Sequence, residues 1–184
     1  MEAALADNLP ISSEDYLRLE ELAEEKHEYA HGRIYAMAGA SDDHELVATN
    51  LLAALHQHLR GKGCRVYKSD MKLRLALHQS DLFYYPDVMV VCDPGDDHPT
   101  FKTKPKVLAE VMSDFKKDRM EKLFGYQQIP SLEEYLVIDP NPEAPRAWIH
   151  RRSNGWNPED IGSADTIALR SLDFEAPLAS LFEA

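Results

Sequence analysis

The sequence predicts an α/β fold in which a mixed β-sheet is flanked by helices, and three observations carry that reading. Apolar runs over residues 82–92, 106–112 and 132–139 have the length and composition of buried strands. A helix-patterned segment over 116–128 separates the last two, the form of a parallel crossover. From Met71 to Asp139 the order is therefore β-β-β-α-β, a sheet begun by hairpins and continued through a helix. The 184 residues suffice for a single well-packed domain and are short for two, and no repeat, low-complexity tract or linker divides them.

Taken in order, Ser12-Ser13-Glu14-Asp15 opens a first helix, with a hydroxyl N-cap and acids in the first turn. That helix carries Tyr16, Leu17, Leu19 and Leu22 between acids and extends to His27-Glu28-Tyr29. His31-Gly32 forms a turn, and Arg33–Met37 alternates as a strand. Ser41-Asp42-Asp43-His44 caps a second helix whose apolar residues Leu46, Val47, Leu51, Leu52 and Leu55 recur at helical spacing, and Gly61 and Gly63 end it. Cys64–Lys68 and Met71–Leu77 read as strands joined by a tight turn at Ser69-Asp70. Leu82–Cys92 reads as one strand stopped by Asp93-Pro94-Gly95, and Lys106–Met112 as the next. Pro130 ends the helix over 116–128, and Leu132–Asp139 is a strand stopped by Pro140 and Pro142. Ala147–Arg151 and Trp156–Ile161 form a hairpin about Asn154-Gly155, followed by a strand at Thr166–Leu172 and an apolar closing segment, Leu178–Phe182.

Composition sets the bounds on function. An apolar fraction of 44% and a charged fraction of 28% describe an ordinary globular protein. No apolar stretch approaches the ~20 residues that span a bilayer. The N-terminus lacks the basic region of a signal peptide. Cys64 and Cys92 are too few and too far apart for a disulfide framework or a zinc site, which points to a reducing, cytoplasmic setting. The net charge of −12 argues against strong non-specific DNA binding, because phosphate neutralisation drives such affinity. Local clusters of bases at Lys102-Lys104-Lys106, Lys116-Lys117-Arg119-Lys122 and Arg146-Arg151-Arg152 leave room for a positive groove.

The chemistry-bearing feature is a pair of acids inside apolar runs: Asp87 in FYYPDVMVV and Glu110 in VLAEVM. An ionised carboxylate taken out of water costs several kcal/mol unless something pairs with it. Two such oxygens on adjacent strands are what a hard cation such as Mg²⁺ takes from a protein, with water and substrate phosphate completing its shell. Alternation along the strands puts Asp87 on a face with Tyr85 and Met89, and Glu110 with Leu108 and Met112. Pro86 lacks a ladder donor, so the strand bends there. Lys122, on the following helix, is placed to orient a nucleophile or bind the same oxygens. Read residue by residue, Asp87 could equally cap a bend, Lys122 could be a solvated helix lysine, and Glu28 and His44 could be helix caps. Tyr84, Tyr85 and Tyr126 suit a strand-and-helix core better than a stacking platform.

Taken together, His27-Glu28-Tyr29, Gly32-Arg33-Ile34-Tyr35-Ala36-Met37, His44, Ser69-Asp70-Met71-Lys72, Tyr84-Tyr85-Pro86-Asp87-Val88, Glu110-Val111, Asp118-Arg119 with Glu121-Lys122, and Leu132-Glu133-Glu134-Tyr135 form an ordered series. In this series the chain resembles the Uma-type restriction endonuclease family, a bacterial branch of the PD-(D/E)XK nuclease superfamily. The resemblance implies a restriction-endonuclease-like core over about residues 12–155 with a C-terminal extension, 156–184, in a single nuclease-like domain. It implies that Asp87 is the PD aspartate, Glu110 the second acid and Glu28 an added acid of the metal site. Met112 stands where the superfamily signature puts its lysine, and the family supplies that lysine from the next helix, where Lys122 sits. Where the family has a longer loop after the glutamate, this chain reads Ser113-Asp114-Phe115-Lys116-Lys117, which leaves Lys116 and Lys117 as substitutes.

The expectation is thus a Mg²⁺- (or Mn²⁺-) dependent endonuclease acting on nucleic acid, DNA in the first place. Asp87, Glu110 and Glu28 would hold the metal and Lys122 would assist, and a homodimer fits enzymes that cut both strands. Two other classes stay open: a nuclease fold kept as a binding or oligomerisation scaffold, and a hydrolase of a small phosphorylated molecule.

Overall fold

Hydrogen bonds made across the chain, more than local propensity, decide where its first elements end. The computed structural model describes residues 10–37, 39–77, 80–112 and 116–184, without the side chains of 77, 80 and 116–121. Helix α1 (Ser13–Glu20) starts at Ser12, whose Oγ accepts from the Asp15 amide at 3.0 Å. It stops at Glu20 and does not reach Tyr29 as the sequence suggests. The Glu20 carboxylate accepts from the His27 amide at 2.9 Å and from the Tyr85 hydroxyl at 2.7 Å, while the Tyr16 hydroxyl donates to the His27 carbonyl at 2.6 Å. Those bonds draw His27–Ala30 into strand β1, so Glu28 lies on a strand and not on a helix. Strand β2 (Arg33–Ala36) returns antiparallel through His31 and Gly32, whose φ values of 51° and 78° suit a two-residue hairpin turn.

Helix α2 (Asp42–Leu59) is capped by Ser41 and buries Val47, Leu51, Leu55 and Leu59, a stripe at i, i+4 spacing. Strands β3 (Arg65–Lys68), β4 (Lys72–Leu77), β5 (Ser80–Tyr84), β6 (Val88–Val91), β7 (Phe101–Lys102) and β8 (Val107–Val111) follow. Helix α3 (Lys116–Gln127) then crosses to β9 (Glu134–Asp139), parallel to β8, as the sequence order requires. Strands β10 (Arg146–Arg151) and β11 (Pro158–Gly162) form the expected hairpin. A short pair, β12 (Thr166–Leu169) and β13 (Phe174–Pro177), and a closing 3₁₀ turn at Leu178–Phe182 complete the chain.

The strands sort into a sheet ordered β2-β1-β5-β4-β7, a sheet ordered β11-β10-β9-β8-β6-β3, and the β12-β13 pair. Two expectations change here. β3 and β4 are not a hairpin, because they belong to different sheets. The apolar run 82–92 is also two strands, and the chain leaves one sheet for the other at Tyr85-Pro86-Asp87, where proline offers no ladder donor. Tyr85 therefore does not share a face with Asp87. Its hydroxyl turns toward α1 and Glu20, while Tyr84 packs edge-on against Tyr126 on α3.

Alternation along β6 and β8 divides the core. Val88, Val90, Val107, Ala109 and Val111 pack against α2, together with Ile167, Leu169, Leu178 and Leu181 of the tail. Met89, Leu108, Tyr84 and Tyr126 fill the space between the two large sheets and α3. Tyr16, Tyr29, Phe83 and Phe101 form a separate aromatic cluster on the α1 side. All three tyrosines considered as stacking residues, Tyr84, Tyr85 and Tyr126, are buried core residues.

The cysteines require a correction. Cys64 and Cys92, separated by 28 positions, form a disulfide with Cα atoms 4.1 Å apart. The register Arg65↔Val91, extended by one pair, sets them directly opposite each other on β3 and β6. Sequence distance concealed a cross-strand neighbour, and cysteine usage no longer argues for a reducing compartment.

Candidate active site

The passage between sheets places Asp87 at the head of β6, and one further step of the β6–β8 register (Val88↔Ala109) sets it opposite Glu110. The Asp87 Oδ2 accepts from the Val111 amide at 2.7 Å, so the carboxylate takes the place of a ladder acceptor that the bend removes. The same oxygen lies 3.2 Å from His44 Nε2, in the first turn of α2. Glu110 is held on the opposite side of the strand from α2, where its Oε1 accepts from the Tyr126 hydroxyl at 2.8 Å. Lys122, one helical turn before Tyr126, donates to Glu28 Oε1 at 2.8 Å and stands 4.0 Å from Glu110 Oε1. Its ammonium also lies 5.4 Å from the Tyr84 ring centre.

Glu28, Asp87, Glu110 and Lys122 therefore come together from β1, the head of β6, β8 and α3, at the seam of the two large sheets. Their side chains, with that of His44, are only 11–15% exposed. Burial pushes the Glu110 carboxyl up to about 8, against the pull of Lys122 and with added repulsion from Asp87 and Glu28. The hydrogen bond to Asp87 raises the His44 imidazole, with burial opposing. Tyr126 is driven well above its usual value by burial and by the Glu110 charge. The result is an acid-rich, partly desolvated recess in which three carboxyl groups face Lys122 and His44.

His44 and Tyr126 are the residues that sequence reasoning left out of the site. Tyr126 had a usable signal, since i+4 spacing puts it on the Lys122 face of the helix. His44 had none in periodicity and was only one matching position in the resemblance. The loop 113–115 lies outside the described residues, as do the side chains of Lys116 and Lys117, the alternatives to Lys122.

Among the described residues, the clusters at Lys102-Lys104-Lys106 and Arg146-Arg151-Arg152 do not assemble a groove. Lys102 is buried and donates to the Asp96 and His98 carbonyls, Lys104 pairs with Asp93 at 2.8 Å, and Lys106 with Glu133 at 2.6 Å. Arg146 pairs with Asp160, Arg151 with Glu134 and Glu159, and Arg152 donates to the Ile129 and Leu132 carbonyls. Among the described residues no helix is long and apolar enough to cross a membrane.

Comparison with known families follows the same lines. The family model Uma2, described as "Putative restriction endonuclease", matches residues 13–179. The chain belongs to the Uma2 family. It is 34% identical over 166 residues to "Uncharacterized protein slr1290" of Synechocystis sp., covering 88% of this chain and 86% of that protein. A second Synechocystis relative, "Uncharacterized protein sll1609", is 36% identical over 134 residues, covering 70% and 75%. Among solved structures, that of "a putative nuclease belonging to DUF820" from Anabaena variabilis superposes with a TM-score of 0.74, over 94% of this chain and 98% of that one. At 16% identity this is a likeness of fold. Family and fold are those of restriction-endonuclease-like nucleases.

Proposed function

We propose that this Uma2 chain is a Mg²⁺-dependent DNA endonuclease that hydrolyses phosphodiester bonds. The observation that carries the reading is the meeting of Glu28, Asp87 and Glu110 around Lys122 in a recess where burial alone would keep Glu110 protonated at neutral pH. A recess of carboxylates without thiolate, whose imidazole is engaged with Asp87, fits a hard, oxygen-seeking cation. Among the described residues no three His, Cys, Asp or Glu side chains gather tightly enough to cage a metal by themselves. Mg²⁺ keeps several waters and takes one or two carboxylates. Asp87 and Glu110 would hold it, with Glu28 joining directly or through water.

Bound there, Mg²⁺ or Mn²⁺ supplies an acidified water and charge stabilisation for the phosphorane oxygens. The chain's own groups do the rest. His44 and the Val111 amide fix Asp87 through one oxygen and leave Oδ1 without a donor among the described residues. Tyr126 fixes Glu110 in the same way through Oε1. Lys122, between Glu28 and Glu110, orients the attacking water and offsets charge on the substrate phosphate. A homodimer would present two such recesses to opposite strands.

Supercoiled plasmid incubated with Mg²⁺ or Mn²⁺ tests the reading. The wild type should nick it, and Asp87→Ala should slow nicking at least ~100-fold, in the range expected for loss of a catalytic group. Equal nicking by both proteins would assign the activity to a contaminant. The ion pair that closes Lys122 onto Glu28 favours a second reading, a nuclease fold kept as a binding scaffold. Calorimetric titration with Mg²⁺ and Mn²⁺ separates the two, since a scaffold would show no binding that depends on Asp87 and Glu110.

A further inference from the structure

Strand β2 is the outer strand of its sheet, and its two faces do different things. Ile34 packs into the aromatic cluster under α1, so Arg33 and Tyr35 point to the other side. The register sets Tyr35 directly opposite Glu28, and Arg33 opposite Ala30. Residues opposed in an antiparallel pair lie on one face, with Cβ atoms ~5 Å apart. Ala30 belongs to the core cluster that contains Tyr84 and Tyr126. Tyr35 is thus a direct lateral neighbour of Glu28 on the active-site face. It is 50% exposed, in a chain whose tyrosines near the site are otherwise buried. Arg33 is exposed and has no ion-pair partner among the described residues, whereas Lys102, Lys104, Lys106, Arg146, Arg151 and Arg152 are tied to acids or carbonyls.

We propose that Arg33 and Tyr35 form the substrate-binding rim of this site and select unpaired nucleic acid. Tyr35 stacks on a base flanking the scissile phosphate, and Arg33 holds a neighbouring phosphate. The inference rests on the endonuclease reading and adds the substrate class. A base offers its flat face to a protein ring only where it is unpaired or unstacked, in a single strand, a frayed end or a bulge. With the bases of the clusters at Lys102-Lys104-Lys106 and Arg146-Arg151-Arg152 engaged by acids or carbonyls, stacking carries more of the affinity than counterion release, so binding should depend only weakly on salt.

The test is fluorescence anisotropy of a labelled single-stranded oligonucleotide and of its duplex. The full chain carries Glu110→Gln, so that the probe survives in Mg²⁺. The single strand should bind more tightly than the duplex. Tyr35→Ala and Tyr35→Leu should each weaken single-strand binding roughly 5- to 150-fold, the span of one base–aromatic stack. Tyr35→Phe should retain binding, Arg33→Ala should flatten the salt dependence further, and Leu22→Ala, at an exposed site at the end of α1, should change nothing. Unchanged binding in both Tyr35→Ala and Tyr35→Leu, or tighter binding of the duplex, overturns the inference. So does a dimer that becomes a monomer in Tyr35→Ala with binding unaltered, because β2 is then an interface between copies. Asp87-dependent nicking by wild type that persists beside any of those results leaves the endonuclease reading standing. Its absence removes that reading whatever the oligonucleotides show.

Discussion

Glu110 is the residue on which the candidate site turns, because two opposed demands meet at one carboxyl. Burial and the neighbouring acids favour its neutral form, and a cation between it and Asp87 would favour the charged one. Its folded value, about 8, stands above the ordinary 4.5, so the fold binds a proton that the unfolded chain has already released. The stability this contributes is complete below about 4.5 and is lost as pH rises toward 8. In metal-free buffer the melting temperature should therefore fall across that window. Glu110→Gln, which keeps the neutral shape, should flatten the decline. Adding Mg²⁺ should raise the melting temperature of the wild type near pH 8 and leave that of Glu110→Gln unmoved. Parallel pH profiles for the two proteins would mean that Glu110 is not held neutral by the fold.

At the scale of elements, the site depends on β6 being fixed between β8 and the edge strand β3. The Cys64–Cys92 bridge straps β3 to β6 at the end away from Asp87. Closing a loop of 28 residues restricts the unfolded chain by an amount worth about 3.5 kcal/mol in the chain-entropy model. Cys64→Ser should lower the urea midpoint accordingly while leaving the metal affinity of the recess largely intact. An unchanged midpoint, with two free thiols titrated in the unfolded wild type, would show that the strap is absent. The seam between β5 and β6 works differently, since Pro86 forces a break that carries the chain from one sheet to the other. That break puts Asp87 where its carboxylate, not a backbone carbonyl, receives the Val111 amide.

Over the whole molecule, the C-terminal segment packs into the core beside α2. Ile167, Leu169, Leu178 and Leu181 share a core with α2, and Asn50 on α2 donates to the Leu181 and Glu183 carbonyls at 3.0 and 2.8 Å. Glu134 and Arg151, each 3% exposed, form a buried ion pair whose remaining bonds reach the Arg170 and Ser171 amides and the Ala168 carbonyl. Removing one partner of such a pair strands the other charge, at about 3–5 kcal/mol. Glu134→Ala should cost that much in urea unfolding and speed hydrogen exchange over 166–182, and unchanged exchange there would rule out the docking role. Local sequence suffices for the class of fold, the β-α-β crossover at α3, most element positions and the two acids in apolar strands. Those features follow from local periodicity, turn residues and the cost of burying charge, each legible within a few neighbours. That Glu28 is a strand residue, that one apolar run feeds two sheets, and that Cys64 faces Cys92 emerge only from long-range pairing. Tertiary packing alone put His44 on Asp87 and tied Lys102, Lys104, Lys106, Arg146, Arg151 and Arg152 to acids and carbonyls. Each of these depends on which strands pair and in what register, and pairing partners far apart in the chain leave no local trace in it.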